Sequence, residues 1–522
     1  MFLKNKIFYL INNFFFITTF IYLIFFLFNK RYYFEWDLVY IYLVSLKPLI
    51  NQKLYLDYSF FHAPFWNIIF EFLNLLKINS FNFLLLAGFF QSLFAGYLSV
   101  LLCRHTMKSK YFEKISYLIT IFSFSNAYYS LFWDSFAPLL GIYGLYLIFI
   151  KQNILGIFFL SLIFFVKQTF GITFFFIFLF LSITNYIYFK KKIYFYNIIL
   201  FFFINLLYLI LIYFFYDIKQ FYFENIHIIF NITDYENRNI SLDYFLSIFF
   251  IFPDIHNFSI LKQSLFEKKS FTQLLFYLLF RLPVFCLNIY LLFNIKNFYK
   301  KNYQILLIFI LSIILPLPLL GRGYWGTIYF FPVLSLYFII LIKKKFSFFL
   351  LKKNFYIYIY IFIIFSFLLL NEFKRLNFDF NFERNVIRSK ENFFLNINKS
   401  RLDNISLESL KNIYDYLYVH KLNNIFIVDH SSTIVMTLLS QAPVNRDFGI
   451  ADRQFFLEKY TQNTQINNLD RFINDFESKS PSYILYNIDK YQKIKNFIPL
   501  NLFERYELEY YNSDFVLLKK LL

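Results

Sequence analysis

The sequence predicts a multi-span α-helical membrane protein with a small α/β domain at its C-terminus. Of the 522 residues, 59% are hydrophobic and only 16% are charged, whereas about 25% of the residues of a typical soluble protein are charged. The apolar residues form long runs. The charge is also unevenly divided, because residues 371–522 hold 20 of the 51 basic and 19 of the 32 acidic residues. Nearly all of the net charge of +19 therefore belongs to residues 1–370.

A membrane-spanning helix needs about 20 mostly apolar residues, and about eleven runs are candidates. The first, Ile7–Phe28, follows Lys4 and Lys6. It lacks a small-residue cleavage site and is too long for a signal peptide, so it predicts an uncleaved anchor. The other runs are Phe81–Leu102, Ile115–Phe132, Phe136–Ile150, Ile154–Val166, Phe170–Phe189, Ile193–Tyr216, Phe271–Ile295, Tyr303–Leu320, Tyr324–Ile342 and Phe355–Leu370.

The positions of the lysines predict the orientation of these spans. With a cytoplasmic N-terminus, the inside loops are rich in basic residues, such as Lys190, Lys191 and Lys192, and Glu113 is their only acid. An excess of Lys and Arg marks short cytoplasmic loops. We therefore expect a multi-pass protein of the plasma (inner) membrane with an extracytoplasmic C-terminal domain. Since topology accounts for the basic charge, no nucleic-acid partner is expected.

We predict a transmembrane domain over residues 1–370 and an extracytoplasmic α/β domain over 371–522. Residues 29–80 form the first outer loop. Its apolar stretch Phe65–Leu76 is too short for a span and is expected to be an interfacial helix. In the C-terminal domain, periodicity predicts helices over Ser406–His420 and Leu469–Ser478 and strands over Ile425–Val428, Tyr483–Tyr486 and Phe515–Lys519. The sequence Asp429-His430-Ser431-Ser432 lacks a nucleophile elbow and is interpreted as a polar turn after a strand.

This topology brings carboxylates and cations from distant parts of the chain to the outer face of the membrane. Carboxylates can deprotonate a hydroxyl or bind a divalent metal, and Lys and Arg can neutralise a phosphate. That combination suits a reaction whose leaving group is a lipid phosphate. The charged residues concerned, in chain order, are Glu35, Asp37, Asp134, Lys167 and Arg322.

Several short motifs occur in order along the chain. They are Phe34-Glu35-Trp36-Asp37, Leu54-Tyr55-Leu56-Asp57-Tyr58, His62-Ala63-Pro64, Val166-Lys167-Gln168-Thr169 and Gly321-Arg322-Gly323-Tyr324. Together they resemble the GT-C superfamily of membrane glycosyltransferases, in its protein-mannosyltransferase-like and lipid A aminoarabinose-transferase-like branch. The loop reads His-Ala-Pro where those enzymes have a double proline.

The resemblance implies an inverting transfer of a sugar from a polyprenyl-phosphate donor. Asp37 or Glu35 would take the proton from the acceptor hydroxyl, and Asp37 is favoured because it lies nearer the juxtamembrane helix. Asp134 matches an acidic position at an outer turn. Lys167 and Arg322 would stabilise the departing phosphate. The residues expected to contact substrate are Asp57, Tyr58, His62, Gln168 and Tyr324.

The implied partners are the lipid-linked donor, membrane lipids and an acceptor that is a glycolipid, a protein or a polysaccharide. A divalent metal, Mg²⁺ or Mn²⁺, could bind near Asp37 and Asp134, although no ligand spacing demands one. Two alternatives are a transporter or flippase for a lipid-linked glycan, and an O-antigen polymerase or ligase. The first requires ionisable residues near the middle of the membrane, for which Arg281 is the main candidate.

Overall fold

The structure is a computed structural model that describes residues 36–54, 57–58, 64–106, 110–127, 133–222, 277–294, 330–345, 359–364, 366–368, 386–388, 394–396, 405–429, 431–445, 472–494 and 500–521. These residues are mainly helical and belong to two compact units. The first unit contains the described residues of 86–211 and 277–368. The second contains those of 36–85, 212–222 and 386–521. The predicted domain boundary at residue 370 lies outside the described residues.

The helices in chain order are α1 (Trp36–Leu46), α2 (Phe65–Leu75), α3 (Ser80–Thr106), α4 (Lys110–Ala127), α5 (Trp133–Phe149), α6 (Asn153–Val166), α7 (Gln168–Phe189), α8 (Ile193–Phe215), α9 (Ile218–Tyr222), α10 (Leu282–Phe293), α11 (Phe331–Lys345), α12 (Leu407–Val419), α13 (Ser432–Leu438), α14 (472–479) and α15 (Ile488–Ile494). A short π-helix, Tyr277–Arg281, leads into α10. A further apolar helix, Ile359–Leu368, follows α11.

Every predicted span that falls in the described ranges is helical there. The correspondence is closest for α6, α7 and α8, whose bounds lie within a few residues of the predicted ones. The predicted spans Ile7–Phe28 and Tyr303–Leu320 lie outside the described residues.

Within the described ranges, three helices are long and apolar enough to cross a membrane: Ser80–Arg104, Phe170–Ile187 and Ile193–Phe215. The last exposes large apolar side chains around most of its surface, including Phe202, Leu206 and Phe214. A helix that is apolar all round needs an apolar environment, which lipid provides. The coarse prediction of a helical, membrane-associated chain is therefore confirmed.

Glycines allow three helices of the first unit to pack closely. A Cβ on Gly144 of α5 would lie 2.9 Å from the carbonyl oxygen of Gly156 on α6, and a Cβ on Gly156 would lie 2.7 Å from the carbonyl oxygen of Gly144. A Cβ on Gly141 would overlap the ring of Phe174 on α7. Small residues that bring backbones together are typical of helix pairs in membranes. The amide of Asn205 on α8 adds a polar contact by donating to the Ser161 hydroxyl at 3.0 Å.

The second unit contains the C-terminal α/β fold. Its strands are β3 (Ile425–Ile427), β4 (Tyr483–Asn487), β5 (Tyr506–Tyr511) and β6 (Phe515–Lys520), which follow a separate hairpin of β1 (Val386–Arg388) and β2 (Phe394–Asn396). The sheet order is β3-β4-β6-β5, with β3 parallel to β4 and the other pairs antiparallel. Phe426 and Ile484 are fully buried in a core beneath the sheet with Phe472 and Phe476 of α14.

The predicted elements of this fold are present, and so is the predicted helix Phe65–Leu76, which is α2. Ser406 explains the start of α12, because its hydroxyl accepts a hydrogen bond from the backbone N–H of Ser409 at 3.0 Å. Sequence reasoning missed β1, β2, β5, α13 and α15. The strand β5 lies at the edge of the sheet, and Glu507 and Glu509 interrupt its apolar residues, so it lacks the apolar run by which the other strands were recognised.

Replacing Gly156 with alanine should weaken the packing of α5 on α6, because the added methyl group meets a backbone oxygen that cannot move without separating the helices. We expect a loss of about 1–3 kcal/mol, as for other overpacked interiors. Thermal unfolding in detergent measures it. Ile154→Ala, at an exposed position of the same helix, is the matched control. A Gly156→Ala protein as stable as that control would contradict the packing described.

Candidate functional site

Two of the predicted acidic residues lie in the first turns of helices. Asp37 is the second residue of α1, and Asp134 is the second residue of α5. Asp37 belongs to the second unit and Asp134 to the first. Four predicted site residues lie outside the described ranges: Glu35, His62, Arg322 and Tyr324.

Lys167 and Gln168 form the junction between α6 and α7. Lys167 is extended, with φ −157° and ψ 110°, and its backbone N–H donates to the carbonyl oxygen of Ile163 at 2.8 Å. Its own carbonyl accepts from the N–H of Gly171 at 3.0 Å, and a Cβ at Gly171 would collide with Phe164 of α6. One residue therefore separates two closely packed helices.

This junction has the electrostatic character of an anion site. The first turn of α7 presents the positive end of its helix dipole, and the half-buried Lys167 adds a full positive charge immediately before it. Gln168 is 8% exposed, so an amide that can donate or accept lies next to the cation. A phosphate oxygen is the kind of group that such an arrangement can bind.

Asp57 and Tyr58 of the first outer loop are held by residues of the second unit. One Asp57 oxygen accepts from the Lys53 backbone N–H at 2.9 Å, and the other pairs with the Lys479 ammonium at 3.4 Å. Tyr58 is fully buried and donates to the Asn67 side-chain oxygen. These contacts fix the loop, and a substrate-binding role for either residue stays a prediction.

Sequence reasoning missed Lys47, which directly follows α1. Its side chain is completely buried, and its ammonium donates to the carbonyl oxygens of Pro443 and Asn445, the latter at 2.6 Å. A lysine between an apolar helix and a proline normally indicates an exposed turn, so no local signal identified it. Helix α1 itself packs against α13 of the C-terminal fold.

The Asp429 carboxylate organises the polar turn predicted after β3. It is 1% exposed and accepts from the backbone N–H of Ser432 at 3.0 Å, the hydroxyl of Ser432 at 2.8 Å and the backbone N–H of Asn487 at 2.6 Å. These bonds begin α13 and attach it to the end of β4. The predicted polar turn after β3 is therefore present, and His430 within it lies outside the described residues.

Two tyrosines of the C-terminal fold are poor candidates for a general base. Burial, with a smaller contribution from the neighbouring Tyr491, raises the pKa of the Tyr486 phenol to about 12. Burial also raises the pKa of Tyr416, whose hydroxyl donates to a Glu509 oxygen at 3.3 Å, and the Glu509 charge adds to that rise. Neither phenol is deprotonated near pH 7, so neither is suited to act as a general base.

Among the described residues, no group of three or more His, Cys, Asp and Glu side chains could hold a metal ion. The metal predicted near Asp37 and Asp134 thus gains no support from these ranges and stays a prediction.

Comparison with protein-family models, with curated proteins and with solved structures finds no match to this chain.

Replacing Asp429 with alanine should loosen the junction of α13 and β4, because the buried N–H groups of Ser432 and Asn487 lose their acceptor. We expect a loss of about 3 kcal/mol, since hydrogen bonds to a buried charge contribute about 1.5–3 kcal/mol each. Amide hydrogen exchange across 427–438 and 483–487 in the full chain measures it. Asp415→Ala, at an exposed position of α12, serves for comparison. Unchanged protection in the Asp429 variant would show that the carboxylate does not hold this junction.

Proposed function

We propose that this chain is a GT-C-like inverting glycosyltransferase that transfers a sugar from a polyprenyl phosphate to an acceptor hydroxyl at the outer face of the plasma membrane. The observation that carries the proposal is the Lys167–Gln168 junction. There a half-buried cation precedes the positive end of an apolar helix. A lipid phosphate is the anion that a membrane protein would meet at such a place.

The full topology of about eleven spans is part of the proposal. The packing within the second unit supports it. Residues 36–85 and the C-terminal fold belong to that unit and are joined by hydrogen bonds from Lys47, so they must lie on the same side of a membrane. That requirement calls for an even number of crossings between them. The predicted topology has ten, because only the first of its about eleven spans precedes residue 36.

In the proposed reaction, the acceptor oxygen attacks the anomeric carbon of the donor from the face opposite the phosphate. A new carbon–oxygen bond forms as the bond between the anomeric carbon and the phosphate oxygen breaks, and that electron pair leaves on the phosphate. The acceptor proton passes to the carboxylate of Asp37 or Glu35. Lys167 and Arg322 stabilise the negative charge that develops on the leaving phosphate, which is usually the largest contribution to catalysis.

The π-helical turn Tyr277–Arg281 favours the alternative, a transporter or flippase. Single π turns occur often at functional sites, and Arg281 is an ionisable residue in an apolar helix. A flippase moves the lipid-linked sugar without cleaving it, so release of free polyprenyl phosphate distinguishes the two functions.

Replacing Asp37 with asparagine should abolish transfer, because asparagine cannot accept the acceptor proton. Loss of general base catalysis costs about 10²–10⁴-fold in rate. The assay expresses each variant in a strain that lacks this protein. It measures whether the polyprenyl-phosphate sugar still accumulates and whether the missing sugar returns to the glycan. Asp489→Asn, at an exposed position of the C-terminal fold, controls for surface charge. Full complementation by the Asp37 variant would remove Asp37 as the base and leave Glu35.

Replacing Lys167 with methionine should weaken use of the donor, because the side chain keeps its length but loses the charge facing the phosphate. We expect kcat/KM for the lipid-linked sugar to fall by about tenfold or more, as for other hydrogen bonds to charged groups. Lys190→Met removes a lysine at the opposite end of the same helix and is the matched control. Equal effects of the two substitutions would mean that the position of the charge is irrelevant.

A further inference from the structure

The burial of Lys47 is the feature of the described structure that the proposed reaction does not itself explain. An ammonium group loses several kcal/mol of hydration on entering a protein interior unless polar groups replace the water. Here the carbonyl oxygens of Pro443 and Asn445 accept from it. A third carbonyl of the same turn, that of Val444, accepts from the Gln52 amide at 3.5 Å. Three consecutive carbonyls of one C-terminal turn thus receive donors from the first outer loop.

The turn 443–445 is itself rigidly attached to the sheet. The Asn445 side chain accepts from the N–H of Ile427 at 2.7 Å and donates to the carbonyl of Ile427 at 2.6 Å. The backbone N–H of Val444 donates to the carbonyl of Ile425 at 3.0 Å. The turn therefore covers the free edge of β3, and Lys47 is bonded to a structure that cannot shift without breaking the sheet edge.

Lys47 is also firmly connected to α1. Pro48 follows it, and because proline has no N–H to continue the hydrogen bonds of α1, that helix ends at Leu46 and a 3-10 helix, Lys47–Ile50, follows. Asn51, with φ 59°, closes the turn by donating to the carbonyls of Lys47 and Pro48. The Asn74 amide of α2 donates to the Ser45 carbonyl at 3.0 Å. The position of Lys47 thus determines the position of the helix that begins with Trp36 and Asp37.

We infer that Lys47 and the turn 443–445 form a buried clamp by which the C-terminal fold positions α1, and with it the candidate base Asp37, for sugar transfer. Lys47 is then a positioning residue, and the C-terminal fold is part of the catalytic machinery. The catalytic half of this inference rests on the proposed function. The clamp itself does not depend on it.

In the first test, the wild-type protein in detergent reacts with an amine-acylating reagent. Mass spectrometry measures how fast each lysine is modified. Lys47 should react far more slowly than Lys53, which is exposed six residues further along the same loop. Equal reaction of the two lysines would overturn the clamp. This readout is independent of any sugar transfer, so it separates failure of the clamp from failure of the proposed function.

The second test is kinetic. Lys47→Met keeps the apolar stem and removes the ammonium, and Asn445→Ala releases the turn while leaving Lys47 intact. Since misplacing a reacting group by about 1 Å costs about 10²-fold in rate, we expect kcat per folded molecule to fall by about that factor, with the donor KM changed less than about twofold. Lys53→Met is the control and should behave as wild type.

A structural role alone would reduce the yield of folded protein without changing kcat per folded molecule. Wild-type kcat in the variants that fold would therefore overturn the positioning role. If one of the two substitutions prevents folding, the kcat of the other variant tests the positioning role, because the two substitutions act on opposite sides of the clamp.

Discussion

The second unit depends on one electrostatic constraint, the withdrawal of the Lys47 ammonium from water. A buried cation must be stabilised by oxygens of fixed geometry. The carbonyls that do so lie 396 and 398 residues further along the chain. The first outer loop and the C-terminal fold therefore form one structural unit. The side-chain contacts of Asp57 with Lys479 and of Tyr58 with Asn67 give the loop further fixed points within the same unit.

The membrane part follows a different principle. In lipid, backbone groups must be satisfied within each segment, which makes every span a helix, and association then relies on close backbone approach. Gly144 and Gly156 provide that approach between α5 and α6. The tight junction at Lys167 is a consequence, since one extended residue is enough to reverse the chain between two helices in contact. The Lys167 cation lies at the N-terminal end of α7, where the helix dipole already favours an anion. The tight packing of the helices therefore places the cation where an anion would bind.

Local patterns predicted the elements well, because helix caps, apolar runs and periodicity are properties of neighbouring residues. Ser406 specified the start of α12, and the apolar stretch Phe65–Leu76 specified α2. Contacts between distant segments were not predictable. Nothing around Lys47 distinguishes it from an exposed lysine, because its burial arises from residues 443–445. The strand β5 was missed although Tyr506, Leu508 and Tyr510 alternate with Glu507 and Glu509, because strands were recognised only by continuous apolar runs. For the candidate site, the sequence predicted which residues carry charge, and the structure added the geometry of the Lys167 junction and the contacts of Asp57 and Tyr58.

The central claim is that the first outer loop and the C-terminal fold lie together outside the cytoplasm. A membrane-impermeant thiol reagent applied to intact cells tests this claim. The native Cys103 and Cys286 are first replaced by alanine, and one cysteine is then introduced at a time, as Lys53→Cys, Lys411→Cys or Lys191→Cys. The positions are exposed in the loop, in the C-terminal fold and between α7 and α8, respectively. The account predicts labelling at 53 and 411 and protection at 191 until the cells are opened. Labelling of 53 and 411 from opposite sides of the membrane would contradict it.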